Sequence, residues 1–413
     1  MEQNWAGNVR FPPGAVVRPT TEGELSELVT AATDGGVTVR SVGSGHSFNP
    51  IAVAETIVDT GGLPERFVVS EDRSTVTING AMTYGRLARL LEQEGLALHN
   101  LASLPHISVA GAVSTGTHGS GTGNGNLATA VAALTLITAD GTSQAFRRGD
   151  PDFAGAVVSL GALGVVTTVT LDVVPAFQVA QRITLDVPLE QLAVDLETIF
   201  AAGYSVSAFT GWQATAEQLW FKYRAGQEPV TIPGRPAETK LHPIAAIDPE
   251  PCTDQLGVPG SWADRLPHFR MDFTPSAGEE IQTEYFVDLA DGAAAIRAMS
   301  RIGDRLKDVL LVSELRTVAA DDLWLRQSHG RPSLALHFTW IPDVDAANAA
   351  ARTVADALSG LSPRPHWGKV FDPRQFDLGG FDRLDDFLGL MARTDPWRTF
   401  TNGWLSEVFA GYR

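Results

Sequence analysis

The chain has 413 residues, beyond the size at which a single hydrophobic core keeps growing, so two domains are expected. Hydrophobic residues make up 44% and charged residues 19%, the composition of an ordinary globular protein and not of a disordered one. A formal net charge of −17 argues against nucleic acid and anionic membrane surfaces as partners and favours neutral or cationic substrates.

The single cysteine, Cys252, rules out an internal disulfide and any multi-cysteine metal site, and it fits a reducing cytosol. The start MEQNWAGNVRF has no basic region followed by an apolar stretch, and no window reaches the apolar length that spans a bilayer. A soluble, cytoplasmic protein is expected.

In chain order, Ala15–Arg18 reads as a short strand. Thr21 and Glu24 form a capping box ahead of Leu25, Leu28, Val29 and Ala32 at helical spacing. Gly35-Gly36 ends that helix, and Val37–Val42 returns as a buried strand that runs into Gly43-Ser44-Gly45-His46-Ser47-Phe48. The unit is βαβ, with its glycine loop at the carboxyl end of the second strand, where open α/β sheets bind ligands. A second strand–helix unit follows, with Thr75–Ile78 and a helix capped by Thr83 that carries Leu87, Leu90 and Leu91. Val131–Ile137 turns at Asp140-Gly141 into Ser143–Phe146 as a hairpin, and Val165–Val174 is a long β-branched strand.

After Pro175 the texture changes. Helices at Leu192–Ala201 and Ala293–Ile302 alternate with strands at Ser205–Phe209, Leu219–Tyr223, Thr283–Val287 and Leu334–Trp340, around a Pro-rich loop from Gln227 to Pro275. This pattern predicts an α+β domain with an antiparallel sheet. The Trp- and Phe-rich tail after Pro363 packs back onto an earlier domain. The boundaries that follow are 1–176, 177–364 and 365–413.

Two groups of residues carry candidate chemistry. The run Ser114–Gly125 is rich in glycine, serine and threonine, and its backbone N–H groups and hydroxyls suit an anion cradle better than a flexible loop. It lacks both the helix of a dinucleotide fingerprint and the Gly-Lys-Ser/Thr of a P-loop. In the second domain Glu314 and Arg316 share one strand face, as do His337 and Thr339, with Lys369 further on. Taken alone, these pairs read as cross-strand pairs on a solvated sheet face. The nine histidines form no metal-ligand spacing, so no metal is expected, and Gly-x-Ser-x-Gly is absent.

Together these pieces resemble the vanillyl-alcohol-oxidase superfamily of FAD enzymes, and within it the bacterial alditol (xylitol) oxidases. The marks are NWAGN at Asn4–Asn8, GSGHSFN at Gly43–Asn49, SLPHISVAG at Ser103–Gly111, STGTHGSG at Ser114–Gly121 and SLGALGVVT at Ser159–Thr167. ELRTVAAD at Glu314–Asp321, HFTW at His337–Trp340 and HWGKVF at His366–Phe371 continue them.

The resemblance implies a two-domain FAD-binding fold with an antiparallel-sheet substrate domain. It implies FAD attached covalently through His46, with Val42, Gly43, Ser44, Gly45 and Ser47 around it. Ser108, Gly111 and the run Thr115, Gly116, Thr117 and His118 would hold the pyrophosphate and ribityl chain, Val166 the adenine side, and Lys369 the flavin's pyrimidine edge. Ser103, Glu314, Arg316 and Thr339 would bind an open-chain polyol. His337 would assist deprotonation of its terminal hydroxyl, with Arg316 and Lys369 stabilising the alkoxide.

Dioxygen would return as hydrogen peroxide, with small Ala102 leaving room for it. A monomer with a small-molecule polyol as its partner is expected. Sugar-lactone oxidases of the superfamily end in His-Trp-Ala-Lys where this chain has His-Trp-Gly-Lys, so an aldonolactone oxidase or dehydrogenase is the nearest alternative. A polyol-binding protein without redox activity is the other.

Overall fold

The computed structural model describes residues 1–227, 230, 232–273 and 280–412. The expected loop Gln227–Pro275 therefore runs outside the described residues at positions 228, 229, 231, 274 and 275.

The chain opens with a small parallel sheet. Val16–Val17 and Val39–Val42 do not pair with each other; both pair with Thr56–Asp59, a strand the hydrophobic pattern did not announce. The intervening helix Glu22–Asp34 starts where expected, with Thr21 Oγ1 accepting from the Glu24 N–H at 3.1 Å. The return half of the capping box differs. The Glu24 carboxylate accepts from the N–H and hydroxyl of Thr20, not from Thr21.

Arg40, buried in the second strand, donates to the carbonyls of Ile51 (2.7 Å), Gly161 (2.9 Å) and Phe400 (2.8 Å). One guanidinium thus joins the strand that leads to His46 to two distant chain segments, and burial lowers its pKa to about 10. Beside it stands a five-stranded antiparallel sheet in the order Phe67–Val69, Thr75–Asn79, Val165–Asp172, Val131–Ile137, Ser143–Arg147.

The second half is built on a nine-stranded antiparallel sheet. Its central order is Gln178–Pro188, Thr215–Arg224, Ser205–Thr210, Leu310–Val318, Ser333–Trp340, Ile281–Asp288. The period of two gives these strands a helix-covered face and an opposite face, which meets the cavity on the four strands from Ser205–Thr210 to Ile281–Asp288. Leu315, Leu336, Phe338, Tyr285, Val206 and Leu219 share one apolar cluster with residues of the helices Gly292–Leu306 and Val344–Leu358. Glu314, Arg316, His337, Thr339, Glu284 and Lys222 point the other way. The helix expected over Leu192–Ala201 is two short ones, Leu189–Val194 and Leu196–Phe200, broken at Asp195 with φ −102° and ψ 21°.

The C-terminal segment returns to the first half. Trp367, Phe381, Phe387, Leu405 and Phe409 share one apolar cluster with Val76, Leu134 and Val169. Asn402 locks this return. Its Nδ2 faces the carbonyls of Pro50 (3.0 Å) and Val53 (2.9 Å), while Oδ1 caps the helix Gly403–Val408 through the Leu405 N–H at 2.9 Å. Replacing it by alanine strands buried carbonyls and removes a cap. Asn402→Ala is expected to lower unfolding stability by about 2–3 kcal/mol, read as a drop in melting temperature of several degrees.

Candidate functional site

The strand Val39–Val42 ends in the loop that carries His46. Gly45 has φ +69°, where a side chain is strained, and a Cβ on Gly43 would stand 1.9 Å from Ser108 Oγ. The loop therefore lies directly on the start of the helix Val109–Ser114. Its carbonyls are held from one side by the amino-terminal segment: the Trp5 N–H donates to Gly45 O (2.8 Å), Asn4 Nδ2 to Ser47 O (2.9 Å) and Asn8 Nδ2 to Phe48 O (2.8 Å). From the other side it grips the segment around Lys369. The Phe48 N–H donates to Gly368 O (2.7 Å), and Asn49 Nδ2 donates to Trp367 O (2.7 Å) and Lys369 O (2.8 Å). Among the described residues, no protein acceptor takes the N–H groups of residues 44–47, so this turn presents a row of free donors.

The His46 ring stacks on Trp5 at 5.2 Å between centroids, with Nδ1 donating to the Ser44 carbonyl at 3.0 Å. Burial lowers its pKa to about 4, so the ring is neutral, and its buried Nε2 has no hydrogen-bond partner.

The Ser114–Gly125 run differs from the expected cradle. The N–H groups of Thr115, Gly116 and Thr117 are spent on the carbonyls of Gly111, Val113 and Ala112, closing the helix before them. From Gly119 onward the run leaves the cavity and fastens the two halves together: Gly121 N–H donates to Thr317 O and Asn124 Nδ2 to Tyr204 O, each at 2.9 Å, and Ser120 Oγ bonds Val206 O. Its small residues serve close approach. A Cβ on Gly119 would lie 2.5 Å from Leu101 O. Thr115, Thr117 and His118 still line the cavity, whereas Gly116 lies outside it.

The cavity, about 620 Å³, joins the His46 loop to the open face of the large sheet. Val42, Ser44, Ser47, Ser108, Gly111 and Val166 line its first part, and Ser103, Glu314, Arg316, His337, Thr339 and Lys369 its second. Strand register produces the second group. Glu284, His337 and Glu314 are direct cross-strand neighbours on three adjacent strands. The residues expected on a solvated sheet face are thus buried, because the first half covers that face.

The charges centre on Glu284, which is 1% exposed. Its Oε1 accepts from Arg316 Nη2 at 2.9 Å and lies 3.1 Å from His118 Nε2, and its Oε2 lies 3.1 Å from Lys369 Nζ. Burial alone would raise this carboxyl; Lys369, His118 and Arg316 overcome it and hold the pKa well below the usual range. His118 therefore turns its ring to the sheet. Lys369 Nζ also meets His337 Nδ1 at 2.6 Å, while His337 Nε2 faces Thr339 Oγ1 at 3.2 Å. Burial, and then the charge of Lys369, lower His337 to about 3. Sequence reasoning missed Glu284, His268 and Lys222. The signal for Glu284 was present in its strand, where Gln282 and Glu284 alternate with the buried apolar Tyr285 and Val287 on the other face.

Comparisons with known proteins bear on this arrangement. A family model described as an FAD binding domain matches residues 13–146, and one described as D-arabinono-1,4-lactone oxidase matches residues 275–408. An alditol oxidase of Streptomyces sp. (strain IKD472 / FERM P-14339) is 46% identical over 99% of both chains. An L-gulono-1,4-lactone dehydrogenase of Mycobacterium tuberculosis (strain ATCC 25618 / H37Rv) is 30% identical over 98% of both. Among solved structures, the cholesterol oxidase from B. sterolicum aligns with a TM-score of 0.78 at 16% identity, covering 98% of this chain and 96% of that one, which shows the shared fold.

The molecule is thus an FAD-dependent oxidoreductase acting on CH–OH groups, with the two-part fold of the vanillyl-alcohol-oxidase type. The chain belongs to the family that holds alditol oxidase and the aldonolactone oxidases and dehydrogenases. The first half of the cavity fits FAD on its own evidence: free N–H donors at residues 44–47 suit a pyrophosphate, and a neutral imidazole with an unpartnered nitrogen lies at their centre. Among the described residues, no helix is long and apolar enough to cross a membrane.

The buried histidines make stability depend on pH. His268 and His337 are lowered to about 4 and about 3 from an unfolded value of 6.5. As pH falls below 6.5 the unfolded chain takes up protons that the folded rings refuse, so the contribution of these rings is complete above 6.5 and is lost as pH falls towards 4. Each pH unit of withheld uptake is worth about 1.4 kcal/mol per ring. Melting temperature is expected to fall steeply between pH 6.5 and 4, and replacing His268 by Gln should flatten that slope.

Proposed function

We propose that the protein oxidises the terminal hydroxyl of alditols such as xylitol and sorbitol to the aldose, with O2 reduced to H2O2. The observation that carries this reading is the cavity's second half, where Ser103, Glu314, Arg316 and Thr339 converge beside Lys369. A polyol with a hydroxyl on every carbon needs that density of donors and acceptors, since each unpaired buried polar group costs about 1–3 kcal/mol. The full-length similarity to an alditol oxidase supports the same substrate class.

FAD held in the first half supplies the two-electron acceptor for the carbinol hydride and the route of those electrons to O2. The protein's side chains do the rest. Arg316 and Lys369 place two cations where the terminal hydroxyl binds and stabilise negative charge as it forms on that oxygen. Glu284 fixes both cations. Neutral His337, whose Nδ1 accepts from Lys369 Nζ at 2.6 Å, holds that cation against the hydroxyl and so assists the loss of its proton. His337 thus acts through Lys369 and Thr339.

His46 is our candidate for the covalent link to FAD, since its ring is neutral and therefore nucleophilic, and Trp5 fixes its plane. Ala102 also lines the cavity and leaves space for O2. We place the domain boundaries at 176/177 and 364/365. The two largest apolar clusters follow this division in the main: one unites residues from 51–179 with those from 367–409 and draws in Trp262, Leu266 and Leu323–Leu325, and the other spans 187–376. A cytoplasmic monomer completes the reading.

An aldonolactone substrate is the second reading, favoured by the lactone-oxidase model over residues 275–408. The His-Trp-Gly-Lys sequence does not decide it on steric grounds. A Cβ on Gly368 would meet Ser47 Oγ and His366 Cε1 only at 3.4 Å, so an alanine nearly fits.

Peroxide release by the purified yellow protein is expected with xylitol and sorbitol and not with L-gulono-1,4-lactone. The reverse preference would move the protein to the lactone branch, and dye reduction without peroxide would make it a dehydrogenase. A denaturing gel is expected to show a flavin-fluorescent band that is absent in His46→Ala; fluorescence retained in the variant removes His46 as the attachment point.

A further inference from the structure

Beside Glu314 lies a second lysine–histidine pair that the proposed chemistry does not use, with His268 at the cavity wall and Lys222 behind it. Lys222 is 1% exposed, on the cavity-side face of the strand Thr215–Arg224. Its Nζ has three partners: the carbonyls of Leu266 and Pro267, the latter at 3.0 Å, and His268 Nδ1 at 3.1 Å. An ammonium has three N–H groups, and each has one acceptor here.

Because Nδ1 accepts from Lys222, the neutral ring carries its proton on Nε2. That atom lies 2.7 Å from Glu314 Oε1, with Ser207 Oγ at 3.4 Å as its other neighbour. Phe209 and Trp220 meet the ring edge-on at 5.5 and 5.1 Å between centroids and fix its plane. A strand, a loop and a second strand are thus joined by directed donors that end on one oxygen of a cavity carboxylate.

The other wall of the cavity repeats the design. Lys369 Nζ meets His337 Nδ1 at 2.6 Å, and His337 Nε2 faces the Thr339 hydroxyl at 3.2 Å. In both pairs a lysine sets which ring nitrogen bears the proton, and that proton points at a side chain lining the substrate half. The repetition separates this arrangement from an isolated buried ion pair.

We propose that Lys222 and His268 form a positioning relay that commits Glu314 Oε1 to the protein and leaves Oε2 aimed into the cavity to accept hydroxyls of the bound polyol. The proposal rests on the alditol reading for the identity of what Oε2 receives. Neither Lys222 nor His268 reaches the reacting hydroxyl in this role; both act through Glu314. The charged groups around the relay are consistent with it. Burial, and then Lys222, keep His268 neutral, with a pKa of about 4. Burial is the leading influence on Lys222 too, lowering it to about 7, with Glu314 opposing and Arg316 adding to the effect; Cys252, itself raised to about 12, stays a neutral thiol.

Two measurements test it, one of them without substrate. In the FAD-loaded native protein labelled with 15N-histidine, with the His268 signal assigned by its loss in His268→Gln, the ring at neutral pH is expected to be neutral with its proton on Nε2. An imidazolium, or a proton on Nδ1, overturns the relay whether or not alditols are substrates. The kinetic arm uses Lys222→Met, which keeps the length of the side chain and removes its donors. KM for xylitol is expected to rise about tenfold or more with kcat changed less than about threefold, and the same substitution in a Glu314→Gln background is expected to leave KM unchanged. An unchanged KM in the single variant, or an equal rise in both backgrounds, overturns the proposal. If Lys222→Met does not load flavin, His268→Gln takes its place in the same cycle. Failure of the native protein to release peroxide from any alditol would instead sink the substrate reading, and the histidine spectrum would still decide the relay.

Discussion

A carboxylate buried to 1% exposure has no place in a protein interior unless its surroundings answer its charge, and Glu284 sets the terms for everything around it. Arg316 and Lys369 reach it from two strands away and from the returning C-terminal segment, and His118 reaches it from the first half. Removing Glu284 would leave two cations facing each other in a closed cavity. Removing either cation would leave one carboxylate oxygen without its charged partner. The cluster therefore holds together as a unit, and it places two positive groups side by side at a spot that solvent does not screen.

The same logic explains why the two halves of the site stay in register. Asn49, at the end of the His46 loop, donates to the carbonyls on both sides of Gly368, so the backbone of Lys369 is tied to the loop that carries His46. Lys369 in turn meets Glu284 in the large sheet. A chain of short polar contacts runs from Asn4 and Trp5 through His46 to the substrate face without passing through a flexible linker. Hydride transfer needs two reacting centres held within a few ångströms, and this chain provides the rigidity that such positioning demands.

The fold was largely legible in the sequence wherever one face of an element is apolar. The helix at Glu22–Asp34, the hairpin around Asp140-Gly141 and the strands carrying Glu314 and His337 announced themselves by period and by turn residues. Thr56–Asp59 did not, because a four-residue central strand leaves too little pattern to count. The Ser114–Gly125 run was misjudged for a different reason. Composition reveals that N–H groups are uncrowded, not whether the protein itself consumes them.

Glu314 and Arg316 were visible as a pair, but their burial was not, since that depends on a covering layer more than a hundred residues away in sequence. His268 and Lys222 escaped because each is a single polar residue within an ordinary segment, and Glu284 because its alternation with Gln282 names no partner. Their meaning comes from cross-strand register and loop closure, which one sequence does not display.

The chain's net charge of −17 is a property of its surface and not of its site. In the cavity, Arg40, Arg316 and Lys369 are matched by Glu280, Glu284 and Glu314, and the formal charges sum to nothing. A neutral polyol enters such a pocket without upsetting the balance, and its hydroxyls meet charged partners of both signs. A sugar acid would bring an unmatched negative charge into a region where screening is weak. In the proposed mechanism the charge that does form there is transient, on the oxygen that loses its proton, and it forms beside the two cations Arg316 and Lys369. Charge balance at rest with cations at one end lets the pocket hold a neutral substrate loosely and its alkoxide tightly, and a difference of that kind accelerates a reaction.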